Sequence, residues 1–186
     1  MSGNDASRWN ARYRERGLVK WSEPRDLLVR FQMLISPGAL VLDMAMGLGA
    51  NARFLSAKGC RVVGVDISEV AVQIAKHQCN SIMSIIGDSK SIMFPICTFD
   101  AILNFYFLDR KLFELYKKTL KPGGILILET PSEVADSEEF PVEYLLVRNE
   151  LLHVFSSWDI LYRNRVRIPS ESRGMKVIEK TILRKV

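Results

Sequence analysis

A glycine-containing loop is the part of this sequence whose residue types and spacing most clearly point to chemistry. The stretch is Gly47-Leu48-Gly49-Ala50-Asn51-Ala52, and it fits the G-x-G-x-x-G/A loop that holds a dinucleotide pyrophosphate. Asp43, however, lies four residues before the first glycine. A carboxylate in a partly desolvated site would repel a phosphate. The loop alone therefore leaves open whether its ligand is a phosphate.

Two further aspartates follow apolar segments that are predicted to be strands. Asp66 follows 61–65, and Asp88 comes two residues after 82–86. In an open parallel sheet, ligands bind at the carboxyl ends of the strands, where these side chains would gather. Three carboxylates suit a cationic ligand. S-adenosylmethionine carries a sulfonium and an ammonium group and no phosphate, so we expect Asp43 at its positive end, Asp66 at the ribose hydroxyls and Asp88 at the adenine amine.

The elements that must position these residues alternate between strand and helix. This alternation predicts an α/β fold with a doubly wound, mostly parallel, seven-stranded, Rossmann-like sheet. The last two strands are separated by about a dozen polar residues, so they should form a C-terminal antiparallel hairpin. Strands are expected at 40–42, 61–65, 82–86, 99–104, 125–128, 158–162 and 176–182, and helices at 22–35, 51–58, 68–75, 109–120 and 148–155, with caps at Ser22, Ser68 and Asp109.

Length, charge and cysteine content limit the classes of protein. The 186 residues, 1–186, predict a single domain, with 1–35 as a helical lid or cap segment and 39–186 as the sheet core. Because no apolar run approaches the ~20 residues of a spanning helix, we expect a cytoplasmic protein without membrane association. The three cysteines have no metal-site spacing, so reduced thiols and no metal are expected. The sequence does not predict the oligomeric state.

Basic residues are concentrated near the amino terminus. Seven basic residues and three acids lie between Arg8 and Arg30, a local charge of +4 within a chain of net charge +5. The segment could steer an anionic substrate, or it could be a solvated face. Nothing in this distribution demands a nucleic-acid partner.

Several longer stretches together resemble class I S-adenosylmethionine-dependent methyltransferases, and within them the small bacterial enzymes related to the tellurite-resistance methyltransferase. The stretches that carry the resemblance are WNARYRERG, VLDMAMGLGANARFLSAKG, VVGVDISEVAV, FDAILNFYFLDRKLFELYKKTLKPGGILILET and ELLHVFSSWDILY. The resemblance implies the methyltransferase version of the fold, with S-adenosylmethionine as cofactor and S-adenosylhomocysteine as product. The implied cofactor-binding residues are Asp43, Ala45, Met46, Gly47, Gly49, Asn51, Asp66, Ile67, Asp88, Ser89, Asn104, Tyr13 and Trp21.

Within that set, the residues have different expected roles. The residues from Asp43 to Asn51 would line the methionine part, Asp66 and Ile67 would hold ribose and adenine, and Asp88 and Ser89 would edge the adenine. Ala45 stands where the family has a glycine, and Met46 stands where a cysteine or alanine is common, so its longer side chain is expected to narrow the site. Each of these residues also has a simpler structural interpretation. The glycines could only form a tight turn, Asp66 could be a solvated strand end, Asp88 could begin a loop and Asn51 could cap the following helix.

Aromatic residues near the amino terminus suggest a lid. Similar enzymes fold such a segment over the cofactor, with a tyrosine hydroxyl reaching the methionine carboxylate, which would give roles to Tyr13 and Trp21. The alternative is that Trp9 and Tyr13, four residues apart, form an apolar helix face that packs on the core. The two interpretations are compatible.

The methyl acceptor should lie after the fourth strand. Candidates around it are Asn104, Phe105, Tyr106, Asp109 and Arg110. Methyl transfer requires alignment in a dry site, and it requires a base only if the acceptor arrives protonated. No catalytic residue is assigned, and Tyr106 and Arg110 are the candidates, although an arginine in a first helical turn is often only solvated.

Three functions remain open from the sequence. The first is methyl transfer to a small-molecule acceptor such as an oxyanion or a thiol. The second is methylation of an adenine amino group in nucleic acid, since residues 104–107 read N-F-Y-F where such enzymes have N-P-P-Y/F, but both prolines are missing. The third is a nicotinamide-dependent oxidoreductase or a non-catalytic nucleotide-binding module.

Overall fold

A computed structural model describes residues 3–15, 23–89, 91–134, 142–169 and 175–186. In these residues a seven-stranded sheet is covered by helices on both faces. The strands are β1 (Leu40–Met44), β2 (Arg61–Asp66), β3 (Met83–Ile86), β4 (Phe99–Phe105), β5 (Leu120–Val134), β6 (Asp159–Pro169) and β7 (Met175–Arg184). The helices are α1 (Gly3–Glu15), α2 (Asp26–Arg30), α3 (Ala50–Ala57), α4 (Glu69–Gln78), α5 (Lys111–Thr119) and α6 (Glu150–Val154). Short 3₁₀ helices lie at Gln32–Leu34 and Val142–Tyr144.

The strand order is β3-β2-β1-β4-β5-β7-β6. Strands β1 to β5 pair in parallel, and β7 is antiparallel to both β5 and β6. The predicted α/β class, the seven-stranded, mostly parallel sheet and the C-terminal antiparallel hairpin are therefore confirmed. The order also reverses between β1 and β4, which is the position at which open sheets bind ligands.

Each face of the sheet packs against its own set of helices. Successive residues of a strand point to opposite faces. Val41, Leu103 and Ile127 belong to one buried cluster, which includes residues of α2, α3 and α4, and we call this side the α3/α4 face. Leu42 and Ile102 belong to a second cluster with residues of α5 and α6, which we call the α5/α6 face.

Several predicted element boundaries are corrected. Strand β5 is much longer than the predicted 125–128, because its second half pairs with β7 beyond the end of β4, with a register shift between Pro131 and Glu133. Helix α2 ends at Arg30 and gives way to a 3₁₀ turn, and Ser22, its predicted cap, lies outside the described residues. Helix α6 begins at Glu150 rather than at 148, because Asn149 has a left-handed backbone (φ 63°).

The predicted cap of α4 is confirmed, since the Ser68 hydroxyl accepts a hydrogen bond from the Ala71 N–H. The predicted cap of α5 is corrected, because the cap residue is Arg110 rather than Asp109. Asp109 lies one residue earlier, and its Oδ1 accepts from the Lys111 N–H at 3.0 Å. No helix within the described ranges is long and apolar enough to cross a membrane.

Candidate functional site

Asp43, at the carboxyl end of β1, is a buried acid with an unused oxygen. Its side chain is 1% exposed, and the Ala52 N–H of α3 donates to the carboxyl. Oδ2 has no hydrogen-bond partner among the described residues. Burial, with a further contribution from the negative charge of Asp66, raises the pKa of Asp43 to about 8. A cation placed against Oδ2 would stabilise the ionised carboxylate.

Asp66 lies beside Asp43 on the α3/α4 face. Asp43 pairs with Gly64 of β2, and Asp66 is two residues further along the same strand. Its Oδ2 accepts from the Gly47 N–H and its Oδ1 from the Ser68 N–H, both at 2.8 Å. Burial raises the pKa of Asp66, while these backbone hydrogen bonds oppose the rise. The Ile67 N–H also donates to this carboxylate, and of its roughly four lone-pair sites one remains for a ligand donor.

The loop between β1 and α3 has three residues in left-handed backbone conformation, Ala45 (φ 55°), Gly47 (φ 55°) and Gly49 (φ 74°). A Cβ on Gly49 would lie 2.8 Å from the Ala75 Cβ, so this glycine lets α3 pack against α4. A Cβ on Gly47 would lie 2.9 Å from the Tyr13 hydroxyl instead. Gly47 therefore faces the candidate site, and Gly49 serves the packing behind it.

The side chain of Met46 is buried against Gly64 of β2, on the same face of the sheet as Asp43 and Asp66. It is 6% exposed, and its sulfur fills the space that a Cβ on Gly64 would need. The expectation that Met46 narrows the site stays a prediction. The missing side chain of Gly64 makes room for Met46 in the core.

Asn51 and Asn104 have structural partners. The Asn51 Oδ1 accepts from the Arg25 N–H at 2.9 Å and so caps α2 rather than its own helix. The Asn104 side chain is fully buried and donates from Nδ2 to the Tyr116 hydroxyl at 2.7 Å. Because Tyr116 belongs to the α5/α6 face, the Asn104 side chain lies on the opposite side of the sheet from Asp43.

The predicted adenine-edge residues lie near Asp66. The Asp66 carbonyl accepts from the N–H of Gly87, which brings the turn after β3 to the end of β2. Asp88 and Ile67 are both half-buried. The Ser89 hydroxyl reaches the Asp109 carboxylate at 3.3 Å, which links this turn to the segment after β4.

Helix α1 packs on the glycine loop and on the start of α4. The Asn10 Oδ1 accepts from the Ser68 hydroxyl at 2.7 Å and from the Val70 N–H at 3.2 Å. Trp9 and Tyr13 stack with their centroids 5.7 Å apart, as expected for neighbours on one helix face. Burial, and secondly the charge of Asp66, raise the pKa of Tyr13, so its hydroxyl stays protonated over Gly47. Trp21 lies outside the described residues.

Arg110 is fully engaged by the segment before α6. Its Nε and Nη2 donate to the two carboxylate oxygens of Glu150 at 2.6 and 2.9 Å. Its Nη1 and Nη2 also donate to the carbonyls of Glu143 and Leu145. This guanidinium holds α5 to the chain before α6, so its predicted role as a clamp for the acceptor is corrected to a structural one.

Tyr106, the other catalytic candidate, lies in a charged cluster after β4. Its backbone is left-handed (φ 56°), and the Arg25 guanidinium lies over its ring, 4.3 Å from the centroid. Its hydroxyl interacts with both Arg25 and Glu129, and burial raises the pKa of Tyr106 to about 12. A bulky residue with positive φ is strained, which is typical of functional sites.

Glu129 of β5 is the centre of that cluster and is not among the site residues predicted from the sequence. Its side chain is 3% exposed, and Oε1 accepts from Arg25 Nη2 at 2.6 Å. Oε2 lies 3.5 Å from the Lys180 ammonium and has no hydrogen-bond partner among the described residues. The available signal was an acid directly after the apolar run ILIL of β5, because such an acid is buried when the strand is central. In the described ranges no group of three or more His, Cys, Asp or Glu could hold a metal ion.

Comparison with known proteins agrees with this geometry. Residues 41–124 match the methyltransferase domain family. The demethylmenaquinone methyltransferase of Tropheryma whipplei (strain Twist) is 33% identical over 102 residues, which cover 50% of this chain and 42% of the relative. The cypemycin N-terminal methyltransferase of a Streptomyces species is 30% identical over 159 residues, which cover 77% of this chain and 61% of the relative. The chain thus spans about half the length of these curated relatives.

Solved structures show the same fold. TehB of Haemophilus influenzae superimposes with a TM-score of 0.76 at 19% sequence identity, covering 97% of this chain and 67% of that one. The predicted resemblance to the tellurite-resistance group therefore has structural support at the level of the fold. Over residues 41–124 the chain thus resembles the methyltransferase domain family, and its strand order and the placement of Asp43 and Asp66 fit the fold of class I S-adenosylmethionine-dependent methyltransferases.

Proposed function

We propose that the protein transfers the methyl group of S-adenosylmethionine to a small-molecule acceptor. The observation that carries this proposal is the unpartnered Oδ2 of Asp43, buried beside a second carboxylate, Asp66. Two buried acids on one face favour a ligand that brings positive charge, and S-adenosylmethionine brings a sulfonium and an ammonium group.

The residues at this edge of the sheet fit the parts of that cofactor. Asp43 and the backbone of 45–49 would hold the methionine part, Asp66 and Ile67 the ribose, and the turn 88–89 the adenine. Tyr13 would cover the loop and exclude water. The cofactor supplies an activated methyl group, and the protein supplies alignment in a dry site.

The geometry favours a small acceptor over nucleic acid. Enzymes that methylate a flipped base stack it on an aromatic side chain. Here the ring of Tyr106 is covered by the Arg25 guanidinium, 4.3 Å from its centroid, so that face is not free for a base. A nicotinamide dinucleotide is also disfavoured, because its pyrophosphate, held by the glycine loop, would lie close to Asp43.

Calorimetry with the purified chain tests the proposal. We expect S-adenosylmethionine and S-adenosylhomocysteine to bind with one molecule per chain, and NAD to give no heat at the same concentration. Methyl transfer from labelled cofactor should then be screened across thiols, selenite, phenols and a DNA oligonucleotide. Binding of NAD in place of S-adenosylmethionine, or methylation of the oligonucleotide alone, would contradict the proposal.

A further inference from the structure

The cluster around Glu129 has the features of a second ligand-binding position. Its carboxylate is nearly inaccessible, yet Oε2 has no hydrogen-bond partner among the described residues. Tyr106, whose hydroxyl interacts with this carboxylate, has the strained positive φ. The Lys180 ammonium lies 3.5 Å from this buried oxygen, but Oε2 accepts no hydrogen bond from the described residues, so a ligand that donates one would stabilise it.

The sheet register places this cluster next to the proposed cofactor site. Leu103 of β4 pairs with Asp43 on one side and with Ile127 of β5 on the other, and Glu129 is two residues further along β5. With neighbouring strands ~4.8 Å apart and a rise of ~3.3 Å per residue, the Asp43 and Glu129 Cα atoms are ~12 Å apart on one face. Asp66 lies on the other side of Asp43, so a ligand held at Asp66 and Asp43 extends toward Glu129.

The charges of the cluster select among acceptors. Arg25 and Lys180 carry two positive charges against the single negative charge of Glu129. The excess positive charge disfavours an ammonium group. The Glu129 carboxylate, whose Oε2 accepts no hydrogen bond from the described residues, disfavours an oxyanion or a thiolate, because two negatively charged acceptors would face each other. A neutral hydroxyl satisfies both, because it donates to Oε2 and its developing negative charge is stabilised by the two cations.

We propose that Glu129 binds the methyl acceptor and is the base that receives its proton, and that the acceptor carries an acidic hydroxyl, as in a phenol or an enol. The inference rests on the proposed methyl transfer. As the acceptor oxygen forms its bond to the methyl carbon, the carbon–sulfur bond breaks and its electron pair stays on sulfur. The hydroxyl proton passes to Glu129 Oε2. The products are the methyl ether, S-adenosylhomocysteine and a protonated Glu129.

The test compares acceptors that need a base with one that does not. Wild type, Glu129→Gln and the control Arg30→Gln are assayed at pH 8 with phenol, with 4-nitrophenol, which is already ionised, and with benzylamine and selenite. Loss of general base catalysis should lower turnover of phenol by about 100-fold or more in Glu129→Gln. Turnover of 4-nitrophenolate, which gives up no proton and is repelled by the Glu129 carboxylate, should be unchanged or higher. Arg30, which stacks on Phe31 and Tyr162, should tolerate its substitution.

Binding measurements separate failure of the inference from failure of the methyltransferase proposal. S-adenosylhomocysteine should bind wild type and Glu129→Gln equally. With S-adenosylhomocysteine bound, wild type should also bind phenol, whereas Glu129→Gln should not. Tyr106→Phe, which removes one hydroxyl and retains the ring, should weaken phenol binding several-fold if Glu129→Gln proves unstable. If S-adenosylhomocysteine does not bind wild type, the proposed function is wrong. The assignment of Glu129 is wrong if S-adenosylhomocysteine binds but phenol is neither bound nor methylated. It is also wrong if Glu129→Gln and Tyr106→Phe bind and methylate phenol as well as wild type does.

Discussion

Affinity for S-adenosylmethionine should rise with pH up to about 8, because Asp43 must lose a proton before it can pair with a cation. Its carboxyl is buried, its Oδ2 has no partner in the described part of the chain, and its pKa is about 8. Bound cofactor should lower that pKa. Binding at neutral pH should therefore release a proton.

The size of the effect follows from that pKa. At pH 7 about one Asp43 carboxyl in ten is ionised. Ionising the carboxyl on binding therefore costs about 1.4 kcal/mol and weakens binding by that amount at pH 7. The dissociation constant should fall about tenfold for each pH unit until pH 8 and then level off. Proton release at pH 7 should approach about 0.9 per cofactor bound, as the protonated fraction requires.

Stability without cofactor should change with pH in the opposite direction. The unfolded carboxyl ionises near pH 4, whereas folded Asp43 keeps its proton until about pH 8. The folded state is thus destabilised progressively as pH rises from about 4 to about 8. Asp43→Asn, which cannot ionise, should flatten this dependence and raise the thermal midpoint of the cofactor-free protein at pH 8.

Isothermal calorimetry in two buffers of different ionisation enthalpy measures both the affinity and the proton count. The ammonium group of the ligand also titrates near pH 8. Asp43→Asn provides the correction, because it keeps the ligand's own titration and removes that of the protein. A dissociation constant that does not change between pH 6 and 8, or equal proton release from wild type and Asp43→Asn, would refute the reasoning.

Three further substitutions test other parts of the site. Asp66→Ala should weaken S-adenosylmethionine by about 1 to 3 kcal/mol, ten- to a hundredfold by calorimetry, while Asp159→Ala at the start of the edge strand β6 should not. Ala45→Gly should raise the urea midpoint slightly, because relief of the ~1 to 2 kcal/mol left-handed strain exceeds the ~0.5 to 1 kcal/mol entropy cost of glycine; a lower midpoint would contradict this. Asn10→Ala should loosen the packing of α1 on α4, because it removes the two hydrogen bonds that Asn10 accepts there. Tryptic cleavage at Arg12 should then be about fivefold faster, and turnover should fall more than cofactor affinity. An unchanged cleavage rate would show that Asn10 does not hold the helix.

The family resemblance and the strand and helix pattern were readable from local signals. Apolar runs of strand length, the cap at Ser68 and the glycine loop each depend on residues that are close in sequence. The same is true of the aspartates that end β1 and β2. Their position on one face follows from the parallel pairing of neighbouring strands, which the alternation of strand and helix already implies.

The partners of individual side chains could not be predicted in the same way. Arg110 was a reasonable acceptor clamp from its position after β4, but only the folded chain brings it to Glu150, forty residues away. Asn51 likewise caps α2 rather than α3, because the turn before α2 returns to the glycine loop. Long-range polar contacts depend on loop geometry, which no local pattern encodes.

The sequence by itself determined the fold class and the two aspartates, Asp43 and Asp66, at the ends of neighbouring strands, because the backbone pattern and the strand-end residues are local properties. Only the tertiary structure decided which side chains complete the site. Glu129 and Lys180 meet because they are directly paired residues of β5 and β7. Arg25, directly before α2, reaches Glu129 because α2 packs on the same face of the sheet. Hydrophobic burial fixes that order of strands, and the charged side chains then pair across it wherever burial leaves them without water.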